Sequence, residues 1–469
     1  MKWPLIKYAG FIFLFGLLIF SCKKQSFITS GDARLYTSAD TLSYDTVFTS
    51  VGSITKSFKI FNNNNQKLLL SKVKLSGGNS SFFKINVDGI SANEVDDIEI
   101  NSNDSIYVFV QVKIDPTVAN LPFIITDSIS IDYNGNRMLV QLQAYGQNAI
   151  FLDKVKLTQD ETWNDSLPFV ILGGLLVDTN ATLTITEGTK IFLHPNAPLL
   201  VNGTLIVTGT KQNKVVFAGD RLDPDYKDFP ASWPGIYFNS SSKENNLKFA
   251  VIKNSYQGVI SQDLSLNAIP KLTLSQCIID NAYDAGVFGI NTNIYADNCL
   301  ISNCGKNIVL ALGGDYSFVH CTVASYSNFF IDHKNPVLQV SNFADQGNAT
   351  FVKDINATFT NCIFWGEGGS VDNEIVVGKK PTPAFSVIFN NTLYKVKDND
   401  PADATFTNNT LKNTDPLFDS INISRNYYDF HFSKDPFAPA IDAGSVTTYT
   451  MDLDDVIRSG IPDLGCYEK

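Results

Sequence analysis

The sequence has few charged side chains and few of the residue types that usually carry out catalysis. Charged residues make up 18% of the 469 residues, and there are four histidines and five arginines. The net charge is −11 and Lys23-Lys24 is the one basic pair that stands out, so no cluster of cations can neutralise phosphates. We therefore expect no nucleic-acid partner. GxSxG, HExxH and GxxxxGK(S/T) motifs are also missing, which gives no support for a serine hydrolase, a zincin-type protease or a P-loop NTPase.

Long apolar runs are absent except near the N-terminus. Residues 8–20 form an uncharged apolar run of about thirteen residues after Lys2 and Lys7, which is too short to cross a bilayer comfortably and predicts a signal peptide over residues 1–21. The segment Ile19-Phe20-Ser21-Cys22 resembles a lipobox, in which the cysteine is lipidated and becomes the mature N-terminus. Several acyl chains on Cys22 would anchor the protein stably to a membrane. The alternative is an ordinary secretory signal with an incidental cysteine.

The remaining chain has ample material for a folded core. Hydrophobic residues make up 44% of the sequence and aromatic residues 12%, which excludes disorder. Val, Ile, Phe, Tyr and Thr suit the half-buried positions of strands, so the composition favours β-structure. The length exceeds that of one ordinary domain. We predict an all-β protein with more than one domain.

The cysteines reveal a repeat. Cys277, Cys299 and Cys321 are each 22 residues apart, and equal spacing is typical of structural repeats rather than of disulfide frameworks. Short β-rich runs and Gly/Asn turns at this period predict a stacked β-solenoid, in which each turn buries its inner face only with its neighbours.

Stacking brings equivalent residues about 4.8 Å apart, one strand spacing along the solenoid. We predict a column of small side chains formed by Ala250, Cys277, Cys299 and Cys321. A second column of Asn254, Asn281 and Asn303 is expected at a turn, because Asn tolerates left-handed geometry and can bond along its own column. Parallel Cβ vectors disfavour disulfides, so we interpret these thiols as core packing, whereas the redox state of Cys299, Cys304 and Cys466 stays open.

Three blocks of the sequence are distinctive. They are residues 183–217, Trp233-Pro-Gly-Ile236, and an ending that contains Asp415-Pro-Leu-Phe418, Pro439-Ala-Ile-Asp-Ala-Gly444 and Pro462-Asp-Leu-Gly-Cys-Tyr-Glu468. Together they resemble the right-handed parallel β-helix (pectin-lyase-like) lipoproteins of Bacteroidetes, which implies a β-helix over residues 149–415. The closing signature is interpreted as a cap over residues 416–469 that seals the end of the helix.

Residues 31–148 follow a different pattern. About seven short alternating runs, including residues 57–61 and 105–112, recur between turn clusters such as Asn62–Asn65, which predicts an immunoglobulin-like β-sandwich. The order of the runs also resembles hydin-type immunoglobulin-like domains, with Phe83-Lys-Ile85 and Ala144-Tyr-Gly146 at the matching places. Residues 22–30 would be the tether to the anchor.

One loop combines acids, an arginine and aromatic rings. Asp220, Arg221, Asp223, Asp225, Tyr226 and Trp233 are therefore candidates for binding a ligand or Ca²⁺, since calcium takes several carboxylate oxygens and aromatic faces can stack on sugars. The alternative is a solvated inserted loop whose Trp233 packs on the helix. A second acidic group, Asp452, Asp454 and Asp455 with Arg458, is interpreted as structural. We predict no other cofactor.

Two functions remain open. The first is a non-catalytic cell-envelope lipoprotein whose β-helix binds a glycan or an envelope protein. The second is a carbohydrate-active enzyme, a polysaccharide lyase or glycoside hydrolase, that acts on the outer face of the helix. Surface-exposed lipoproteins of Bacteroidetes usually carry acidic residues after the lipidated cysteine, whereas Lys23-Lys24-Gln25 follow here. We therefore expect the periplasmic face of the outer membrane.

Overall fold

Nearly every regular element of the protein is a β-strand. The computed structural model describes residues 26–48, 54–113, 123–222, 226–382, 384–397, 399–432 and 436–469. The chain divides into two units, Met1–Asn148 and Ala149–Lys469. No helix in the described part of the chain is long and apolar enough to cross a membrane.

The first unit is a sandwich of two five-stranded sheets. Sheet I has the order β1-β3-β8-β5-β6 and sheet II the order β2-β10-β9-β4-β7. All pairings are antiparallel except that of β2 with β10, which is parallel. The strands are β1 Leu35–Thr37, β2 Thr41–Phe48, β3 Lys56–Asn62, β4 Leu68–Leu75, β5 Phe83–Val87, β6 Ile90–Ser91, β7 Glu94–Ile100, β8 Asp104–Val112, β9 Phe123–Tyr133 and β10 Asn136–Gln147, with a 3-10 turn at Gly78–Ser80.

The alternation of the sequence builds the core of this sandwich. In β3, Phe58 and Ile60 are fully buried while Lys59 between them faces outward. Tyr44 of sheet II is also buried, and its hydroxyl donates to Val110 O of sheet I over 2.5 Å, so its polar end is satisfied within the core. Burial raises the pKa of this hydroxyl well above its usual value.

The second unit is a coil of parallel strands. Its strands are β11 Ile150–Leu157, β12 Glu161–Trp163, β13 Phe169–Val177, β14 Thr182–Thr186, β15 Lys190–Leu193, β16 Leu199–Val201, β17 Thr204–Thr208, β18 Val215–Gly219, β19 Ile236–Phe238, β20 Asn245–Lys248, β21 Ala250–Lys253, β22 Gln257–Gln262, β23 Leu272–Ser275, β24 Ile278–Asp280, β25 Ala285–Asp297, β26 Leu300–Ser302, β27 Lys306–Val319, β28 Thr322–Tyr326, β29 Leu338–Ser341, β30 Phe343–Gln346, β31 Ala349–Val352, β32 Ile355–Thr360, β33 Ile363–Glu367, β34 Ile375–Gly378, β35 Phe385–Asn390, β36 Leu393–Tyr394, β37 Thr405–Thr407, β38 Leu411–Lys412, β39 Ser420–Asn422 and β40 Tyr427–Asp429. Of these, β30 and β31 form an antiparallel hairpin outside the coil, as do β39 and β40.

Each turn of the coil contributes one strand to each of three walls. Wall 1 contains β15, β18, β21, β24, β26, β28, β33, β36 and β38. Wall 2 contains β16, β19, β22, β29 and β34 with the first halves of β25 and β27. Wall 3 contains β14, β17, β20, β23, β32, β35 and β37 with the second halves of those long strands. The long strands β11 and β13 belong to walls 1 and 2. The predicted fold class is confirmed: an all-β chain with an N-terminal immunoglobulin-like sandwich, followed by a right-handed parallel β-helix with a C-terminal cap.

In-register stacking fills the interior with columns of like side chains. One wall-3 column begins with aliphatic residues and ends in aromatic ones, and all of these side chains face inward. The rings of Phe359 and Phe389 lie 4.8 Å apart, as do those of Phe389 and Phe406. The column contains Ile185, Val207, Leu247, Leu274, Ala296, Phe318, Phe359, Phe389 and Phe406.

The cysteines form another column, where wall 3 turns into wall 1. Strand registers place Ala250, Cys277, Cys299, Cys321 and Cys362 in successive turns. All five are fully buried, and the cysteines are free thiols, as are Cys304 and Cys466. Each thiol of the column lies near a backbone carbonyl, for example Cys277 Sγ at 3.2 Å from Leu247 O.

The C-terminal cap lies along the outer face of wall 1. Apolar residues of the cap, including Phe430, Leu453 and Leu464, pack on outward side chains of wall 1 such as Leu300 and Ile363. The contacts of the cap therefore extend over several turns of the coil.

A polar column ties the cap to this wall. Its members stand just before the cysteine column and have positive φ, a conformation that Asn adopts more readily than most residues. The hydrogen bonds join Gln276 to Asp452 and Asp455, Asn298 to Arg458, His320 to Asp463, Asn361 to Ser445, and Asn391 to Ala443. The second acidic group of the sequence thus makes contacts within and beneath the cap.

Candidate functional site

The corner at which wall 1 turns into wall 2, hereafter the first corner, carries a histidine–aspartate pair. His194 and Asp220 are the residues that follow β15 and β18, and the pairing of Leu193 with Gly219 stacks them one turn apart. His194 Nδ1 lies 2.7 Å from Asp220 Oδ2. The aspartate is largely buried, whereas the imidazole is half-exposed. The carboxylate therefore holds the imidazole in one orientation towards solvent.

The environment of Asp220 makes its carboxyl harder to ionise than that of an exposed aspartate. Burial raises the pKa of this carboxyl, and the hydrogen bond from His194 offsets part of that shift. Asp220 Oδ1 is buried and has no hydrogen-bond partner among the described residues. A carboxyl with a raised pKa next to an imidazole is suited to proton transfer.

Next to this pair, Arg221 and two aromatic residues form a cluster. The Arg221 guanidinium lies 3.4 Å from the centroid of the Tyr226 ring, and the Tyr226 and Phe229 rings are stacked at 5.3 Å. Phe229 also contacts Phe330, with the ring centroids 4.7 Å apart. Tyr226 and Phe229 remain 38% and 40% exposed, so each ring keeps surface for a ligand.

The other predicted members of the loop are placed differently. Asp223 and Asp225 lie outside the described residues. Trp233 is fully buried in the core of the β-helix, and its indole nitrogen donates to Lys253 O over 2.9 Å. A ring with no exposed surface cannot stack on a ligand, so Trp233 is a core residue that fixes the end of the loop.

The asparagine column of the first corner holds the loop in place. Asn254 Nδ2 donates to Lys227 O over 2.6 Å, and Asn281 Nδ2 donates to Asp228 O over 2.9 Å. Both asparagines have positive φ, as does Asn303 in the next turn. Asn303 instead accepts a hydrogen bond from the Tyr326 backbone. The column thus extends from the turns of the coil into the inserted loop.

Two further aromatic residues lie on the same corner. Tyr256 and Tyr283 stand two positions after Asn254 and Asn281, and their rings are stacked with centroids 5.9 Å apart. Both are about half-exposed. Beside them, Asp284 accepts hydrogen bonds from Gln257 at 2.7 Å and from Lys306 at 2.9 Å. The corner therefore combines aromatic faces with an amide, a carboxylate and an ammonium group.

Sequence reasoning missed His194, Tyr256 and Tyr283. A signal for His194 exists, because aligning Ile191-Phe-Leu193 with Phe217-Ala-Gly219 puts His194 opposite Asp220. The signal for the two tyrosines is that each stands two positions in the sequence after an asparagine of the predicted column.

The described residues show no metal centre. No group of three or more His, Cys, Asp or Glu residues in the described ranges is arranged to hold a metal ion. The carboxylates most favourable for Ca²⁺, Asp223 and Asp225, are not among them, so a calcium site stays a prediction.

Comparisons with known proteins give weak similarities. No protein-family model and no curated protein matches the chain. The catalytic unit of a thermostable GH87 α-1,3-glucanase from Streptomyces thermodiastaticus aligns over 79% of this chain and 91% of its own, at 9% identity and a TM-score of 0.25. A family 123 glycoside hydrolase from Clostridium perfringens aligns over 24% of this chain, at 11% identity and a TM-score of 0.18, and the chain spans only 26% of that enzyme. PapD-like domain 7 of human CEP192 aligns over 27% of this chain and 92% of its own, at 10% identity and a TM-score of 0.18. Such low values do not identify a function.

Proposed function

We propose that the protein is a glycan-binding protein of the cell envelope, which takes a polysaccharide at the first corner of its β-helix. The observation that supports this most is the group of half-exposed rings Tyr226, Phe229, Tyr256 and Tyr283 on one corner. Sugar rings have apolar faces that stack on aromatic side chains, and sugar hydroxyls need polar partners around those rings.

Polar groups of both kinds surround the rings. Lys306 donates a hydrogen bond to Asp284, the Arg221 guanidinium carries further donors, and His194 can donate or accept. The asparagine column fixes the loop that carries two of the rings. A binding site on such a rigid support loses little conformational entropy when a ligand binds.

Catalysis at the same corner is the second candidate. Asp220 favours this reading, because burial raises its pKa and His194 contacts it, which together suit a proton donor or acceptor. The enzyme would then be a polysaccharide lyase or a glycoside hydrolase. Calcium held by Asp223 and Asp225 would assist substrate binding in that case.

The test is glycan binding by the full chain carrying Cys22→Ser. We expect Tyr226→Ala and Tyr283→Ala each to weaken the affinity for a recognised polysaccharide by about tenfold, as loss of one stacking contact does. The matched control is Tyr295→Ala, which removes an exposed tyrosine of wall 3. If all three variants bind as the parent does, the first corner is not the site. If Asp220→Asn retains binding but stops cleavage of the bound polysaccharide, the protein is the enzyme of the second candidate.

The anchor forms the other half of the proposal. Lipidation of Cys22 would tether the chain to the outer membrane, on the periplasmic face, with residues 22–30 as a short link. This assignment is supported by the lipobox-like segment before Cys22 and by the lysines that follow it. An envelope protein is the alternative partner of the corner.

A further inference from the structure

The outer face of sheet I in the sandwich carries a row of aromatic side chains on β8. Ile106, Val108 and Val110 of this strand enter the core, so the alternate residues face outward. The outward rings of Tyr107 and Phe109 are nearly parallel at 15°, with centroids 5.6 Å apart, and they are 45% and 41% exposed. Two adjacent half-exposed rings in the middle of a sheet differ from the isolated surface hydrophobes of most proteins.

A lysine borders one end of this aromatic row, and a hollow borders the other. Lys59 pairs with Tyr107 across β3 and β8, and its ammonium lies 4.6 Å from the centre of the Tyr107 ring. At the other end, Phe109 borders a hollow of about 400 Å³. This volume falls within the range of small-molecule sites. The hollow is lined by Thr55, Lys84, Ile85, Asn86, Ser91, Phe109 and Gln111.

The polar side chains of the hollow include both a donor and an acceptor of hydrogen bonds. Gln111 Nε2 donates to Thr55 Oγ1 over 2.6 Å, which leaves the Gln111 carbonyl oxygen as an acceptor. Asn86 Oδ1 accepts from Gly89 N over 2.9 Å, which leaves the Asn86 amide group as a donor. Donor and acceptor thus stand beside the ring of Phe109.

Lys84 adds a positive charge to this hollow. Its ammonium has no ion-pair partner within the described ranges. A ligand with a negative charge would supply that partner. A stable protein partner would instead need an area of about 800 Å² per side with an apolar centre, whereas lysine, amide and hydroxyl groups interrupt this face.

We propose that this hollow is a second binding site, which takes a sugar that carries a carboxylate. The apolar face of the sugar would stack on Phe109, its hydroxyls would bond to Asn86 and Gln111, and its carboxylate would pair with Lys84. The site lies within the first unit, so it does not depend on the function proposed for the first corner.

Titration calorimetry with the full chain carrying Cys22→Ser tests this site. The probes are tetrasaccharides of glucuronate, galacturonate and mannuronate, each paired with its carboxyl-reduced form. Lys84→Gln should weaken binding of a recognised uronate roughly tenfold, because the carboxylate of the uronate pairs with the Lys84 ammonium. Binding of the carboxyl-reduced form, which has no carboxylate, should not change. Phe109→Ala should weaken both forms. Tyr36→Ala, which removes an exposed ring of the same sheet outside the hollow, should change neither.

The outcomes separate this site from the first corner. If Lys84→Gln and Phe109→Ala bind as the parent does, or if no uronate binds to the parent, the inference is overturned. Loss of binding in Tyr226→Ala and Tyr283→Ala alone would support the corner and reject the hollow. Loss in the two hollow variants alone would support the hollow and reject the corner. Thermal unfolding of every variant shows whether a loss reflects misfolding.

Discussion

Asn281 Nδ2 lies 2.9 Å from Asn254 Oδ1, so the side-chain amides of two successive turns are hydrogen-bonded within the first corner. The same amides also bind the carbonyls of Lys227 and Asp228. One short polar column therefore connects the coil with the loop that bears the aromatic rings.

We predict that Asn281→Ala frees this loop. The variant loses the bonds to Asp228 and Asn254 and puts alanine at a positive φ, which together should cost about 1–3 kcal/mol of unfolding free energy. Hydrogen exchange should rise in residues 226–232. Asn303→Ala is the control, because Asn303 has a similar φ but its hydrogen-bond partners, Asp280 and Tyr326, lie outside the loop. Equal exchange of the loop in both variants would contradict a role of the column in holding it.

A pH-dependent stability should arise at His320. Burial, together with a smaller effect of the charge of Arg458, lowers the pKa of this imidazole from its usual 6.5 to about 3. Asn361 donates to His320 Nε2 over 3.0 Å, so the neutral ring bears its proton on Nδ1 and donates to Asp463 O. Between about pH 3 and 6.5 the unfolded chain binds a proton that the folded chain does not. Stability is therefore lost as the pH falls through this window.

The matched variant is His320→Asn, since asparagine occupies the equivalent position in the turns on both sides, Asn298 and Asn361. We measure urea unfolding at pH 7.5 and at pH 5. Between these two pH values, the free energy of unfolding of the parent should fall by about 2 kcal/mol more than that of the variant. Identical pH profiles would mean that His320 does not titrate as its burial requires.

Thiol reactivity should follow the burial of the cysteine column. In the Cys22→Ser chain, the six remaining thiols are free and buried, so a disulfide-exchange reagent should react with none of them in the folded protein and with six in guanidinium. A reducing agent should leave the midpoint of thermal unfolding unchanged. Fewer than six thiols after unfolding would indicate a disulfide.

The anchor can be tested through Cys22 itself. We expect the parent to fractionate with membranes and Cys22→Ser to become soluble, because the acyl chains supply the membrane affinity. Radiolabelled palmitate should enter the parent alone. Digestion of intact cells by an external protease would place the protein on the cell surface rather than on the periplasmic face.

The sequence was most informative where the coil repeats without insertions. The interval between Cys277, Cys299 and Cys321 equals one turn, and the registers place these residues in one column. The alternating runs before residue 148 identified the sandwich because each has one buried face. Both signals come from periodicity, which can be detected in a single sequence.

The site was harder to predict because it lies in an insertion. The aromatic and acidic residues around Asp220 suggested a ligand loop, and the local sequence left open whether Trp233 faces a ligand or packs on the helix. In the structure Trp233 is buried. To predict the contact of His194 with Asp220, one must know the register between two turns of the coil. Neither turn has a cysteine that would mark this register. The polar column from Gln276 to Asn391 was not predicted, because its partners are in the cap, far away in sequence.

The cap has a consequence for how the protein unfolds. A solenoid whose turns contact only their neighbours can open one turn at a time from either end. Here a single C-terminal segment bonds to turns from Gln276 to Asn391, so none of these turns can detach without breaking the same segment away from the others. Under a pulling force, this half of the β-helix should yield in one large step, whereas the turns between β14 and β18 should yield in smaller ones.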